Sequence, residues 1–121
     1  MNSPKIIITG GSGFIGTSAV MYGIEKGYRV VNYDINPPKS SKFEEYWREI
    51  DLIDLDSLSR AVQGFQPTHI LHLAADLGMD HINFDNLQCN IKGIDNLIES
   101  VKNIDSIKRI IFTSSLLVCE N

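Results

Sequence analysis

Short runs of strand-forming residues alternate along this chain with longer stretches in which apolar residues recur every three or four positions. The β-rich runs are residues 5–9, 29–33, 47–50, 69–73 and 109–113, the third being the weakest. Between them, Leu55, Leu58, Val62 and Phe65 step at the helical period, with Asp54 or Asp56 placed to cap that helix. The longest helix carries Phe84, Leu87, Ile91, Ile94, Ile98 and Val101 as one stripe, and Asp85, Lys92, Asp95, Glu99 and Lys102 on its outer side. That stripe is expected to pack into the core. A third helix follows the first strand and stops at Lys26-Gly27; its Gly16, Ala19, Val20, Gly23 and Gly27 share roughly one face of small or β-branched residues. Strands alternating with helices predict an α/β fold, a doubly wound parallel sheet of about five strands covered on both faces. Right-handed crossovers place the first strand near the centre, and the ligand crevice falls at the carboxyl ends of the first and fourth strands. Residues 36–42 are polar and read as a surface loop.

The junction of the first strand and helix reads Thr9-Gly10-Gly11-Ser12-Gly13-Phe14-Ile15-Gly16. A tight strand-to-helix turn needs backbone angles that a Cβ disfavours, which is the role expected of Gly10. Gly13 is expected to let a pyrophosphate approach the main chain, and Gly16 to let the helix lie close on its strand. The helix N-terminus then offers unpaired N–H groups and a partial positive charge to an anion. Asp34 ends the second strand, about 18 residues beyond Gly16, near the spacing at which an acid accepts hydrogen bonds from an adenosine ribose. Its charge would repel a 2′-phosphate, so NAD is expected over NADP. Asp34 also opens the turn Asp34-Ile35-Asn36-Pro37-Pro38, a role Asp fills by bonding its own backbone, and the two roles are compatible.

A chain of 121 residues, 43% of them apolar, suits one domain. A net charge of −4 and a pI near 5.2 argue against nucleic acid or an anionic membrane as the partner. Cys89 and Cys119 lack metal-ligand spacing, and no membrane-length apolar run or leading signal segment is present, so a reduced, cytoplasmic protein without a metal is expected.

Other candidate residues sit at predicted strand ends. Asp51 could accept a bond from an exocyclic amine such as that of adenine, with Leu52 against the ring, or it could simply lead a helix. Leu73, Ala74 and Ala75 follow the fourth strand, small enough for a flat ring and a ribose to lie on the main chain. Asn90 is polar within the stripe of the long helix, and a buried amide left unpaired costs about 1–3 kcal/mol, so it is expected to hold backbone or a water. Thr113, Ser114 and Ser115 end the fifth strand with three hydroxyls, which could hold a substrate or ribose oxygen or could cap backbone. His69 and His72 are three apart in a strand and face opposite sides of the sheet, so no metal site is expected from them.

These motifs, in this order and spacing, resemble the extended short-chain dehydrogenase/reductases, and more narrowly the NAD-dependent nucleotide-sugar epimerases and dehydratases. The resemblance implies a Rossmann-type domain over residues 1–121. It assigns NAD pyrophosphate to Gly10, Gly13, Phe14, Ile15 and Gly16, the adenosine ribose to Asp34, adenine to Asp51 and Leu52, and the nicotinamide side to Leu73, Ala74 and Ala75. Asn90 and Thr113 join that cofactor site, and Ser115 matches the Ser or Thr that hydrogen-bonds the sugar hydroxyl being oxidised. The family's base is a tyrosine of a Tyr-x-x-x-Lys pair on the helix after this serine, and no tyrosine of this chain is expected to stand in for it. The substrate-binding part is likewise expected to lie outside these 121 residues, leaving a form that is inactive and self-associating, as a homo-oligomer. The expected substrate is a nucleotide sugar. A non-catalytic dinucleotide-binding module and an NAD(P)-dependent reductase of the same superfamily are the alternatives.

Overall fold

The run Lys-Ile-Ile-Ile-Thr buries side chains on both of its faces, and this requirement puts it in the middle of the sheet. In the structure, a computed structural model that describes residues 3–74 and 84–113, five strands pair in parallel: β1 (Lys5–Thr9), β2 (Arg29–Asp34), β3 (Trp47–Glu49), β4 (His69–His72) and β5 (Arg109–Phe112). Their order is β3-β2-β1-β4-β5, with Ile7 opposite both Val31 and Ile70. The expected α/β class and central first strand are therefore as the pattern indicated. A 3-10 segment, Ser41–Tyr46, precedes β3.

Helices cover both faces. On one, Val20 of α1 (Phe14–Glu25) packs on Ile8 and Val30. On the other, Leu58 and Val62 of α2 (Leu55–Phe65) and Leu97 of α3 (Phe84–Val101) pack on Ile7, Val31, Tyr33 and Ile70. α1 approaches closely because it is small on that side: a Cβ at Gly23 would lie 2.6 Å from Val30 Cγ2. Gly27 does not belong to this packing face. It lies beyond the helix, exposed, at φ 79°, where it reverses the chain into β2. α2 starts at Asp54, whose carboxylate accepts the Ser57 N–H at 3.2 Å, as one of the two capping expectations had it.

The long helix departs from expectation. Leu97 is fully buried and Gly93, Asn96 and Ser100 are buried with it, whereas Ile91 and Ile98 are 47% and 43% exposed. The face turned inward is the small and polar one, because α3 must lie close to α2 and the loop after β3: a Cβ at Gly93 would already touch Leu52 at 3.4 Å. The cost of burying Asn96 is offset by a hydrogen bond from its Nδ2 to the Leu52 carbonyl at 2.9 Å, and Ser100 Oγ donates to the Leu97 carbonyl. Ile91 and Ile98 thus form an apolar face outside this core, although Val101, from the same stripe, packs against it.

This division is measurable. Leu97→Ala should lower the unfolding free energy by about 2–5 kcal/mol through the cavity it leaves, while Ile98→Ala should cost less than about 1 kcal/mol. Equal losses for the two in denaturant titrations would return the isoleucine stripe to the core.

Candidate functional site

At the carboxyl end of β1 the chain turns sharply, and nearly every amide in the turn is already used. Gly10, at φ 73°, donates to the Tyr33 carbonyl at 3.0 Å, and a Cβ there would lie 2.8 Å from the Ala74 nitrogen. Gly11 N–H donates to Asn32 Oδ1 at 2.8 Å and Ser12 N–H to Asp34 Oδ2 at 3.0 Å. Asn32, 1% exposed, completes the loop by donating from Nδ2 to Ser12 Oγ, which in turn donates to the Asn36 carbonyl. Gly13 N–H turns back to the Gly10 carbonyl, and Thr17 N–H to that of Gly13.

What remains is informative. The amides of Phe14, Ile15 and Gly16 have no hydrogen-bond partner among the described residues, and they open a helix of 12 residues whose cap, Gly13, brings no side chain to them. No acid occupies the first turn. A Cβ at Gly13 would meet only the Gly10 carbonyl, at 3.4 Å, so a side chain there would project into the space in front of these amides. Unpartnered amides at the start of a helix, with open space in front of them, can receive an anion on bare backbone. Gly16 has a different constraint from the one expected: its Cβ would collide with the Gly10 carbonyl and lie 2.7 Å from Gly11 Cα, so it makes room for the turn itself.

Asp34 borders the glycine turn. Its two carboxylate oxygens accept Ser12 N–H at 3.0 Å and Asn36 N–H at 2.9 Å, joining the glycine turn to the turn after β2. Each oxygen keeps a further lone pair for a hydroxyl donor. Asp51 is exposed, and its Oδ1 accepts Ile53 N–H at 3.1 Å, so it leads the turn into α2. Leu52 is held against α3 by the Asn96 bond.

The end of β4 is organised by Thr9, which is fully buried. Its Oγ1 accepts the amides of Leu73 and Ala74, each at 3.1 Å, and lies 2.7 Å from His72 Nδ1. The Leu73 N–H is shared with the Thr9 carbonyl, also at 3.1 Å. With Oγ1 taken as the acceptor of both amides, its hydrogen goes to His72, which assigns Nδ1 as the acceptor and the neutral Nε2–H tautomer. Burial acts in the same direction, holding its pKa below the usual 6.5. Thr113 donates its hydroxyl to the His72 carbonyl at 3.1 Å, and the Phe112 ring meets His72 edge-on at 5.6 Å. Asn90 is half-buried on α3. Ala75, Ser114 and Ser115 lie outside the described residues.

The structure therefore brings the glycine turn, Asp34 and Leu73-Ala74 to one edge of the sheet. Three organising residues were not singled out from sequence: Thr9, Asn32 and Asn96. Asn32 carried a signal, being one amide inside the apolar run Val30 to Tyr33. Tyr22 and Lys26 do have a Tyr-x-x-x-Lys spacing, but they lie at the far end of α1 from Gly13 and the glycine turn, with Tyr22 58% exposed and Lys26 over its ring at 5.4 Å.

Residues 6–120 match the sequence profile of the NAD dependent epimerase/dehydratase family. Over 92% of its length the chain superposes, with a TM-score of 0.80 and 28% identity, on 38% of a UDP-glucose 4-epimerase from Thermotoga maritima solved with UDP-glucose. The UDP-glucose 4-epimerase of Thermus thermophilus, solved with NAD, gives 0.77 and 26%, with 92% of this chain on 37% of that one. Dihydroflavonol 4-reductase of Solanum lycopersicum is 30% identical over 89% of this chain, and a probable dTDP-glucose 4,6-dehydratase of Sinorhizobium fredii 28% over 81%. In both cases the chain spans 31% of the relative's length.

The neutral His72 has a consequence for stability. As pH falls through about 6.5 the unfolded chain binds a proton that folded His72 refuses, so its contribution to stability declines from there down to its lower folded pKa and then levels off. His72→Gln should flatten that part of the pH profile in thermal melts, and an unchanged slope would place a proton on His72 Nδ1.

Proposed function

The chain belongs to the NAD-dependent epimerase/dehydratase family, and from that premise we propose that it holds NAD in an enzyme that transiently oxidises a hydroxyl of a nucleotide sugar. The carrying observation is the set of unpartnered Phe14, Ile15 and Gly16 amides beside the open face of Gly13, which fits a pyrophosphate and which a side chain at residue 13 would fill. When bound, the nicotinamide accepts a hydride from the sugar carbon and returns it.

The chain's own residues then divide the binding. Gly10 to Gly16 hold the pyrophosphate, and Asp34 takes the adenosine ribose hydroxyls while its charge disfavours a 2′-phosphate. Asp51 and Leu52 take the adenine end, with Asn90 and Thr113 completing the pocket. Leu73, Ala74 and Ala75 take the nicotinamide side, the first two on backbone that Thr9 and His72 keep in place. Ser115 orients the sugar hydroxyl. The 30% identity to a dihydroflavonol 4-reductase favours a second reading, an NAD(P)-linked reductase acting on a carbonyl compound. Self-association is proposed as well, through the apolar face of Ile91 and Ile98 on α3 and through the edge strand β5, whose Ile111 is 50% exposed.

Calorimetry tests the cofactor reading. The chain should bind NAD more tightly than NADP, and Asp34→Asn, which keeps an acceptor for the turn but removes the charge, should narrow the difference; equal affinities of the unaltered chain for both would sink the Asp34 role. Gly13→Val should abolish NAD binding with the circular dichroism unchanged, since the added side chain enters open space.

A further inference from the structure

β3 is short, and its brevity leaves a second site open on the molecule. It pairs only with Asn32, Tyr33 and Asp34, so the first half of β2 has no strand on its outer side among the described residues. Above this edge α2 presents Ala61 and Gly64, and a Cβ at Gly64 would meet nothing within 4 Å. Between the two lies an open groove of about 650 Å³, floored by Val31, Tyr33 and Ile50 and closed at one side by the Phe65 ring. None of the cofactor-site residues lines it. It occupies the α2 face of the outer strands, whereas the glycine turn and Ala74 occupy the carboxyl edge of the sheet.

Its chemistry is selective. Arg29 and Arg48 both line the groove, and among the described residues neither pairs with a carboxylate: Arg48 Nη1 donates only to the carbonyls of Glu45 and Trp47. Glu45 is the single acid against these two cations, and it is exposed. Tyr33 is 2% exposed, yet its hydroxyl has no hydrogen-bond partner among the described residues. No unpartnered polar side-chain atom is itself shut off from solvent, so the sliver of Tyr33 that reaches solvent includes this hydroxyl, in the lining of the groove. Tyr33 stands opposite Arg48 in the β2–β3 register, and the two side chains share one face of the sheet. Burial raises the Tyr33 pKa to about 12 against the opposing pull of Arg48, so the phenol stays a donor at neutral pH. An apolar floor, an aromatic wall over which Arg29 lies at 5.9 Å, two guanidinium groups without a carboxylate partner and an unused O–H that reaches solvent together match a planar apolar body that ends in an anion.

We propose that this groove is a binding site for a small aromatic carboxylate, its ring on Val31, Ile50 and Phe65 and its carboxylate on Arg48 and the Tyr33 hydroxyl. The site is separate from the cofactor site, so both can be filled at once.

The test uses the full 121-residue chain and 2-naphthoate as the probe, followed by calorimetry and by amide chemical-shift mapping, with 2-naphthalenemethanol as its uncharged counterpart. Naphthoate should bind saturably, about tenfold or more tightly than the alcohol, and should shift the amides of β2, β3 and the end of α2. Gly64→Leu places a side chain in the open space of the groove and improves helix propensity, so it should abolish binding while the melting temperature holds or rises. Arg48→Gln and Tyr33→Phe should each weaken naphthoate but leave the alcohol unchanged, and they carry the test if Gly64→Leu misfolds. Saturating NAD should leave naphthoate affinity unaltered. The proposal is overturned by no saturable binding, by shifts centred on residues 10–16 or on Ile91 and Ile98, by displacement with NAD, or by Gly64→Leu folding and binding normally.

Discussion

The glycine turn after β1 depends on a division of backbone N–H groups. Those of Gly10 to Gly13 are consumed within the protein, by the Tyr33 carbonyl, Asn32, Asp34 and the Gly10 carbonyl, while those of Phe14 to Gly16 are left over. The first set makes the second set useful. A turn whose early amides were also free would be mobile and hydrated, and its later ones would have no fixed direction in which to present their partial charge. The supports come from β2, the neighbour of β1, so sheet order and glycine turn are one construction.

Thr9 does for β4 what Asn32 does for β2. One buried hydroxyl accepts two amides and donates to an imidazole, which ties Leu73 and Ala74 to the end of β1 and sets the tautomer of His72. The carboxyl edge of the sheet is thereby fixed on both sides of its central strand by polar side chains that are themselves buried and satisfied. No buried side-chain polar atom among the described residues is without a partner. A network of this kind rigidifies a site, since any one bond moved would strand another group in a low dielectric.

α3 and the outer strands show the opposite arrangement. α3 turns Gly93, Asn96, Leu97 and Ser100 inward, against α2 and Leu52, and leaves Ile91 and Ile98 outside. At the other edge, small residues on α2 and a short β3 leave a groove instead of a packed layer. The two flanks are where the described residues leave apolar surface uncovered.

Alternation of strand and helix periods was enough to establish the fold class and the central position of β1, because both are dictated by short-range periodicity and by the handedness of crossovers. The glycine turn was legible for a similar reason: Gly10 needs its positive φ whatever surrounds it. Asp54 could be read as a cap from its place before an apolar period. The inward face of α3 could not be read, because a hydrophobic stripe says that a face avoids water and not which neighbour covers it. Nor could the partners of Thr9, Asn32 and Asn96, which come from residues 20 to 65 positions away. The local chain dictates what conformation each segment can hold; only the assembled sheet decides which polar groups meet, since a hydrogen bond between distant residues exists only once both backbones are in place.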